Sequence, residues 1–295
     1  MATQGNALLT NTPNYLGMLF DANKNKTQFL TLIGGTEGGN ALITTNPEFP
    51  LSVTYSIDNP TQPKITENAS VGAAQPTYFG LTQGTNVIQI FTEDVVVSNL
   101  RERAKGRLSG VNTAGQMPEE NSELALQVKL HLEKIKRDMN FTALNGKKAV
   151  GGLTDSTKEL ATQGIIGAVT TNKITVEVKD DMDFVNGLDA LIKAVYDNGD
   201  FNTRVLVVNS TDKVKLSKKL LFNNLAEVDR DRFVAGVGIN EIVTDFGKPV
   251  YVIIDNDVPA NTLLLADIEY VKPVFTTDIE TGQTITVKAA PQRNG

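Results

Sequence analysis

The chain has 295 residues, no cysteine and a formal net charge of −6 at pH 7. The lack of cysteine excludes disulfide bonds, thiolate metal sites and cysteine nucleophiles. The acidic balance disfavours a protein that grips nucleic acid through its phosphates. The first twenty residues lack a basic segment followed by an apolar core, and no apolar run approaches the ~20 residues needed to span a membrane. We therefore expect neither a signal peptide nor a membrane segment.

The first 47 residues are rich in Asn, Thr and Gly and contain short apolar clusters, one of which is FLTLIGG at 29–35. Such a segment cannot form a core of its own, so we predict an arm with apolar anchors over residues 1–47.

Two strand-like segments then enclose a stretch that contains three prolines and no sustained period. Residues 49–58 alternate, with Leu51, Val53, Tyr55 and Ile57 pointing one way, and residues 84–98 form a second, longer strand candidate. A long structureless stretch inside a compact domain is uncommon. The pattern predicts a protruding hairpin with an irregular tip.

The strongest helix signal covers residues 118–145. Acidic residues lie near its start, and Gly146 is placed to end it. Its apolar residues form two arcs on a helical wheel, which predicts a helix that packs on both sides. The expected core residues of one arc are Leu124, Val128, Leu132, Ile135 and Met139.

From about residue 172 the sequence alternates between strand and helix patterns. NKITVEV at 172–178 predicts a strand, the next segment an amphipathic helix, and TRVLVVNS a buried strand. Ser210, Thr211 or Asp212 is placed to cap a further helix that runs to Leu221. The segment NEIVTDFGKPVYVII is predicted to form two strands joined by a turn, and further strands are predicted after it. The fold class is α+β.

The triplet Asp245-Phe246-Gly247 matches the magnesium-binding triplet of protein kinases. A kinase also needs a Gly-rich loop and an H-R-D catalytic loop, and both are missing, since the only histidine, His131, precedes Leu132 in the long helix. We interpret the triplet as a hairpin turn with Phe246 in the core.

No other pattern supports an enzyme or a metal site. The acidic clusters DDMD at 180–183 and DND at 255–257 do not fit the calcium-loop pattern, and a helix N-terminus and a loop explain them better. The one basic run, RERAKGR, provides Arg101, Arg103 and Arg107 as candidates for charged contacts with a neighbouring acidic subunit. We expect no catalytic residue and no cofactor.

Several short segments of the sequence, and the order in which they occur, resemble those of the major capsid proteins of tailed bacteriophages. The segments are VVVSNLRERAKG followed by NSELALQVKLHLEKIKRDMNFTAL, and later VLVVNSTDKVKLSKKL, VTDFGKPVYVI and LLLADIEYVKPVF. Each segment alone is weakly specific, but their order over residues 48–280 is specific. The resemblance implies the Hong Kong ninety-seven (Johnson) fold and a shell of hexamers and pentamers around double-stranded DNA.

The resemblance also implies a division of the chain. The expected parts are an N-arm at 1–47, an E-loop hairpin at 48–98, a P-domain at 99–170 with its spine helix at 118–145, an A-domain at 171–265, and return strands to the P-domain at 266–295. At the E-loop tip, Lys64, Ile65, Tyr78 and Phe79 are expected to contact a neighbouring subunit. Crosslinking chemistry is known in some members, and Lys64 is a candidate for it by position alone.

The expected partners are further copies of the chain, a portal, packaged DNA held on the inner face without sequence specificity, and a separate scaffolding protein, because no charged, coiled-coil-like segment precedes the arm. The expected location is the virion, after assembly in the cytoplasm of the host bacterium. Two alternative functions would also require assembly from many copies of one chain: an encapsulin-like shell around protein cargo, and a phage tail structural protein.

Overall fold

The computed structural model describes residues 27–35, 41–55, 57, 60–62, 66–72, 79–97, 123–198, 204–222, 241–244, 246 and 249–276. Helices and strands both contribute to the described part, in agreement with the predicted α+β class. The helices are α1 (Gln28–Leu32), α2 (Glu67–Val71), α3 (Glu123–Asn145), α4 (Ile165–Ala168), α5 (Asp181–Asn198) and α6 (Ser210–Phe222), with 3-10 turns at Gly151–Leu153 and Ile268–Tyr270. The strands are β1 (Leu42–Ile43), β2 (Glu48–Tyr55), β3 (Leu81–Val87), β4 (Arg204–Val208), β5 (Glu241–Ile242), β6 (Val250–Ile254), β7 (Leu263–Asp267) and β8 (Val274–Phe275).

The main sheet has the strand order β5-β6-β4-β7, in which β4 and β6 run parallel and the other pairs antiparallel. Every residue of β4 is buried, as its continuous apolar run predicts. The strand begins with Arg204, whose pKa burial lowers to about 10, while Asp267, its partner on β7, acts in the opposite direction.

Strand β4 separates two apolar cores because its side chains alternate between the faces of the sheet. Leu206 and Val208 join the first core, which α5 and α6 cover. Val205 and Val207 join the second core, which contains Leu144 at the end of α3. The apolar cluster at 29–35 packs here: Phe29, Leu30 and Ile33, from α1 and the following turn, are buried in the second core, and Leu32 packs against it.

Helix α5 begins with a reciprocal cap. Asp180 Oδ1 accepts from the Asp183 backbone N–H at 2.9 Å, and Asp183 Oδ2 accepts from the Asp180 N–H at 3.4 Å. The helix-terminus interpretation of this acidic cluster is confirmed. At α6, however, the cap is Asn209, whose Oδ1 accepts from Thr211 N at 3.0 Å. The prediction that Ser210, Thr211 or Asp212 caps this helix was wrong, since all three lie within α6. The side chain of Asp212 instead accepts, through Oδ2, from the Asn261 N–H at 2.6 Å.

The predicted strand–turn–strand is present as β5 and β6. Phe246 packs against the first core and stacks on Tyr196, with ring centroids 4.6 Å apart. This placement confirms a structural role for Phe246, whereas Asp245 and Gly247 lie outside the described residues.

Helix α3 ends where two backbones meet. Gly146 N donates to Thr142 O at 2.8 Å, and Gly164 N donates to Gly146 O at 2.9 Å. A Cβ on Gly146 would lie 2.6 Å from the carbonyl oxygens of Thr142 and Thr162, so only glycine fits. The predicted helix end is therefore confirmed, while residues 118–122 lie outside the described residues.

Three predictions about strands need correction. The second strand of the hairpin ends at Val87, opposite Glu48, which is the first residue of its partner β2. Beyond this pair, the one backbone hydrogen bond between the two segments among the described residues is from Ile88 N to Pro47 O. Residues 88–97 continue without a ladder, and so do residues 172–178. The hairpin tip is not wholly irregular, since it contains α2.

Candidate functional site

The hairpin of β2 and β3 exposes large apolar side chains along its length. Tyr55, Ile57 and Leu81 are 67%, 64% and 66% exposed, and Val71 in α2 is 87% exposed. Phe79, one of the predicted tip contacts, is 47% exposed. Burying one such side chain gains roughly 1.5–3 kcal/mol. A run of exposed apolar groups on one projecting element is typical of a surface that another protein covers.

The root of the hairpin is fixed by Asn86, which is buried. Its Nδ2 donates to the Gln163 carbonyl oxygen at 3.1 Å, and its Oδ1 accepts from the Gln163 N–H at 2.9 Å and from the Val87 N–H at 2.9 Å. The Asn86 amide thus both donates to and accepts from the backbone of Gln163, and it joins the hairpin to the loop that follows α3.

Three further contacts surround this root. Gln89 Oε1 accepts from Thr162 N at 3.2 Å, and Ile88 N donates to Pro47 O at 2.9 Å. Lys148, just after α3, donates through Nζ to the backbone oxygen and to the hydroxyl of Thr85. The hairpin is therefore firmly held at its root, whereas its shaft is exposed.

Beyond the root, residues 88–97 belong to no helix or strand, and they are called the ribbon below. Residues 91, 93, 95 and 97 are partly buried, while residues 90, 92, 94 and 96 are exposed. This alternation is that of a strand with one covered face.

Glu93 fastens the ribbon to α3. Its carboxylate contacts Lys134 Nζ through Oε1, and its Oε2 lies 3.1 Å from Nδ1 of His131. The hydrogen bond from Lys134 holds the pKa of Glu93 below its ordinary value, and His131 acts in the same direction. The same bond raises the pKa of Lys134. The only histidine of the chain thus belongs to a contact between two elements.

The five predicted core residues of the long helix differ in burial. Val128, Leu132, Ile135 and Met139 are partly buried, and Met139 packs against the second core. Leu124 is 47% exposed in the single subunit, because the described chain places no large apolar cluster beside the first turn of α3. A core role for Leu124 remains a prediction for the assembled state.

Several predicted contact residues lie outside the described residues. They are Lys64, Ile65 and Tyr78 at the tip, and Arg101, Arg103 and Arg107 in the basic run. Their roles stay predictions.

A buried polar cluster that no sequence pattern predicts connects three elements. Asp255 follows β6, and its Oδ2 accepts from the Phe29 N–H at 3.0 Å. Asn140 of α3 donates to both Asp255 oxygens, at 3.2 and 3.0 Å, and its Oδ1 accepts from the Leu30 N–H at 2.9 Å. The cluster therefore ties α1, α3 and the end of β6 together.

Asp257 is the second carboxylate of this cluster. Its Oδ2 accepts from Asn140 Nδ2 at 2.6 Å. Burial raises the pKa of Asp257, and the neighbouring Asp255 adds to the rise, while the Asn140 hydrogen bond opposes it. The acidic residues at 255–257 thus have structural partners, and the described residues contain no group of three or more His, Asp or Glu side chains that could hold a metal ion.

A family model described as SU10 major capsid protein matches residues 2–290. The chain belongs to the SU10 major capsid protein family. No individual curated protein shows a significant match to it. The predicted function as a phage major capsid protein is confirmed, and neither the encapsulin-like alternative nor the tail-protein alternative gains support. As a capsid protein the subunit forms part of a virion and assembles with copies of itself into a shell.

Membership of a structural protein family agrees with the roles found for the ionisable groups of this capsid subunit. The acidic cluster at 180–183 caps a helix, and the cluster at 255–257 joins elements of the fold. Within the described ranges, no helix has both the length and the apolar character needed to cross a membrane.

Proposed function

We propose that this capsid protein builds an icosahedral shell of hexamers and pentamers with the Johnson fold, and that its hairpin clamps a neighbouring subunit. The proposed parts are an N-arm at 1–47, an E-loop at 48–98, a P-domain at 99–170, an A-domain at 171–265 and return strands at 266–295. The proposed shell is not enzymatic and uses no cofactor.

The contrast between the root and the shaft of the hairpin supports this proposal. Along β3 the side chains of residues 81–85 are exposed, and only the last two, Asn86 and Val87, are buried. A hairpin that served its own subunit would bury one face along its length. An exposed shaft on a hydrogen-bonded root instead suits a contact between subunits, and obligate interfaces of this kind commonly bury ~2,000–5,000 Å².

The remaining partners follow from the family resemblance. The proposed shell encloses double-stranded DNA without sequence specificity, and a net charge of −6 suits a wall that does not hold the genome tightly. A portal and a separate scaffolding protein are proposed to take part in assembly in the host cytoplasm. Lys64, Ile65, Tyr78 and Phe79 are the proposed tip contacts, and Arg101, Arg103 and Arg107 the proposed charged contacts.

A shortened hairpin tests the clamp. Tyr55 and Leu81 are register partners, so an Asn-Gly turn in place of residues 56–80 closes the hairpin without disturbing its paired strands. We expect a subunit that melts like wild type by circular dichroism but forms no shells by electron microscopy. A matched variant of full length, Val71→Ser with Phe79→Ser, should fold normally and assemble less efficiently.

Two results would contradict the clamp. Normal shells from the shortened variant would show that the tip makes no required contact between subunits. A shortened variant that does not fold would show that the tip belongs to the core of its own subunit.

A further inference from the structure

Residues 172–178, between α4 and α5, have the features of a strand but no partner strand. The segment belongs to no helix or strand and alternates between apolar and polar residues, as Asn-Lys-Ile-Thr-Val-Glu-Val, which is the pattern of a strand. No backbone hydrogen bond joins it to any other residue in the part of the chain that the structure describes. Among the described residues, both of its backbone edges are therefore open.

One face of this segment lies on α5. Val176 packs against Gly187, where an added Cβ would lie 2.7 Å from Val176 Cγ2. Ile174 and Val178, on the same face as Val176, are each still more than one-third exposed. The opposite face carries Lys173, Thr175 and Glu177, all of which are exposed. An amphipathic strand whose covered face is already on a helix can gain a partner only along its edges.

An open strand edge is a template for pairing with another chain. The backbone groups of residues 172–178 make no hydrogen bond with one another or with the rest of the described chain, and a second strand would satisfy one row of them while covering Ile174 and Val178. Since the protein assembles with copies of itself, a second copy is the partner that is always present at the required concentration.

We propose that residues 172–178 pair antiparallel with the same segment of a second copy across a two-fold axis at Thr175. In this register Ile174 faces Val176 of the other copy, and Lys173 faces Glu177, so that two opposite-charge pairs form. Cross-strand pairs of these kinds are each worth roughly 0.2–1 kcal/mol. The inference rests on shell assembly but concerns a contact separate from the hairpin.

The charges select this register over the two neighbouring ones, because an axis at Ile174 would place Lys173 opposite Thr175 and would lose both opposite-charge pairs. If the axis lay at Val176, Lys173 would face Lys179, and like charges directly opposite each other destabilise a strand pair. Glu177 Oε2 lies 3.5 Å from Lys179 Nζ in the single subunit. That ion pair is fully solvated at 86% and 75% exposure and contributes little, so it does not prevent Glu177 from facing Lys173.

Cysteine crosslinking tests the register, because the natural chain has no cysteine. Residues opposite each other in antiparallel strands have Cα atoms about 4.5–5.5 Å apart, within the range of a disulfide. Thr175→Cys should yield disulfide-linked dimers under mild oxidation, both in shells and in concentrated soluble subunits. Lys173→Cys and Glu177→Cys should each give none alone, and the double variant with both cysteines should crosslink.

Charge reversal provides the second measurement. Lys173→Glu or Glu177→Lys, each introduced into the Thr175→Cys chain, should reduce the dimer yield, and the two together should restore it. Shells that form normally without a Thr175→Cys crosslink would overturn the strand pairing alone. A crosslink from Thr175→Cys to any other segment, identified by mass spectrometry, would overturn it as well. Loss of shells with the dimer crosslink retained in solution would count against the proposed shell and not against this contact.

Discussion

Asn140 and Asp255 lie 115 positions apart in the sequence, yet the side-chain amide of Asn140 donates to both carboxylate oxygens of Asp255, at 3.2 and 3.0 Å. Both side chains are almost completely buried. Together they accept the first backbone N–H groups of α1, from Phe29 and Leu30, which have no partner within that short helix. The N-terminal anchor is thus held by polar contacts as well as by apolar burial.

Removal of this carboxylate should be costly. Asp255→Ala would leave the backbone N–H groups of Phe29 and Asp257 without their carboxylate acceptor, and Asn140 would keep only Asp257 as an acceptor for its amide. We expect a loss of about 3 kcal/mol in the free energy of unfolding. Chemical denaturation of the subunit measures this loss. A loss below about 1 kcal/mol would show that water replaces the carboxylate.

Asp257→Asn is the matched control for that change, since its amide oxygen still accepts from Asn140. The raised pKa of Asp257 means that its carboxylate form is disfavoured in the folded state. The stability it contributes is therefore present at acidic pH and lost as the pH rises through the folded pKa. We expect Asp257→Asn to equal wild type at acidic pH and to match or exceed it at neutral pH.

Lys213 of α6 is the second buried charge with a predictable pH effect. It is 7% exposed, and its Nζ has no hydrogen-bond partner among the described residues. Burial lowers its pKa from 10.5 to about 8. The unfolded chain thus binds the proton more tightly than the folded chain, so stability should increase as the pH rises from 8 to 10.5.

Lys213→Met should remove this increase and stabilise the subunit at pH 7 by about 2 kcal/mol. Melting temperatures of both proteins between pH 7 and 10 measure the effect. The exposed neighbour change Lys218→Met is the control and should leave the pH dependence intact. Parallel profiles for wild type and Lys213→Met would contradict a buried, unpaired amine.

Glu93→Gln should release the ribbon of residues 88–97 from α3. A neutral amide loses the charge that Lys134 and His131 both contact, and the described ribbon has no backbone ladder to hold it. We expect faster chymotrypsin cleavage after Phe91, which is partly buried in the wild type. Asp94→Asn, at an exposed neighbouring position, should cleave at the wild-type rate, and equal rates for all three proteins would refute the fastening role of Glu93.

Two leucines of α3 should behave differently. Leu144 is fully buried in the second core, so Leu144→Ala should cost about 2–5 kcal/mol of subunit stability. Leu124 is half exposed, so Leu124→Ala should cost less than about 1 kcal/mol in the single subunit. If Leu124 becomes buried in the assembled state, the same variant should form shells that dissociate at lower denaturant concentration. Shells of unchanged stability would show that Leu124 stays exposed after assembly.

The sequence predicts best the elements whose burial depends on local pattern. The continuous apolar run of β4 and the periodic face of α5 both specify their environment within a few residues, and both were predicted correctly. Residues 88–97 and 172–178 also have a strand pattern. That pattern reports side-chain preferences, however, and it does not reveal whether a second strand lies alongside within the same subunit.

The polar cluster around Asp255 could not be predicted for a different reason. DND at 255–257 suggests a loop or an ion site, and an asparagine near the end of an amphipathic helix carries no signal of its partner. The contact between them exists only because β6 ends beside the last turns of α3. A buried asparagine on the apolar side of a long helix is the one clue that the sequence offered.

The buried amide at the hairpin root also has a mechanical consequence. The far end of β3, at Leu81, lies five residues from Asn86, which is about 17 Å at about 3.4 Å per residue. A rotation of about 5° at Asn86 would displace this end by about 1.5 Å, about a third of the spacing between neighbouring strands. The three hydrogen bonds of Asn86 thus help to set the direction of the hairpin, and a change as small as Asn86→Asp should lead to particles of mixed size from subunits that fold normally.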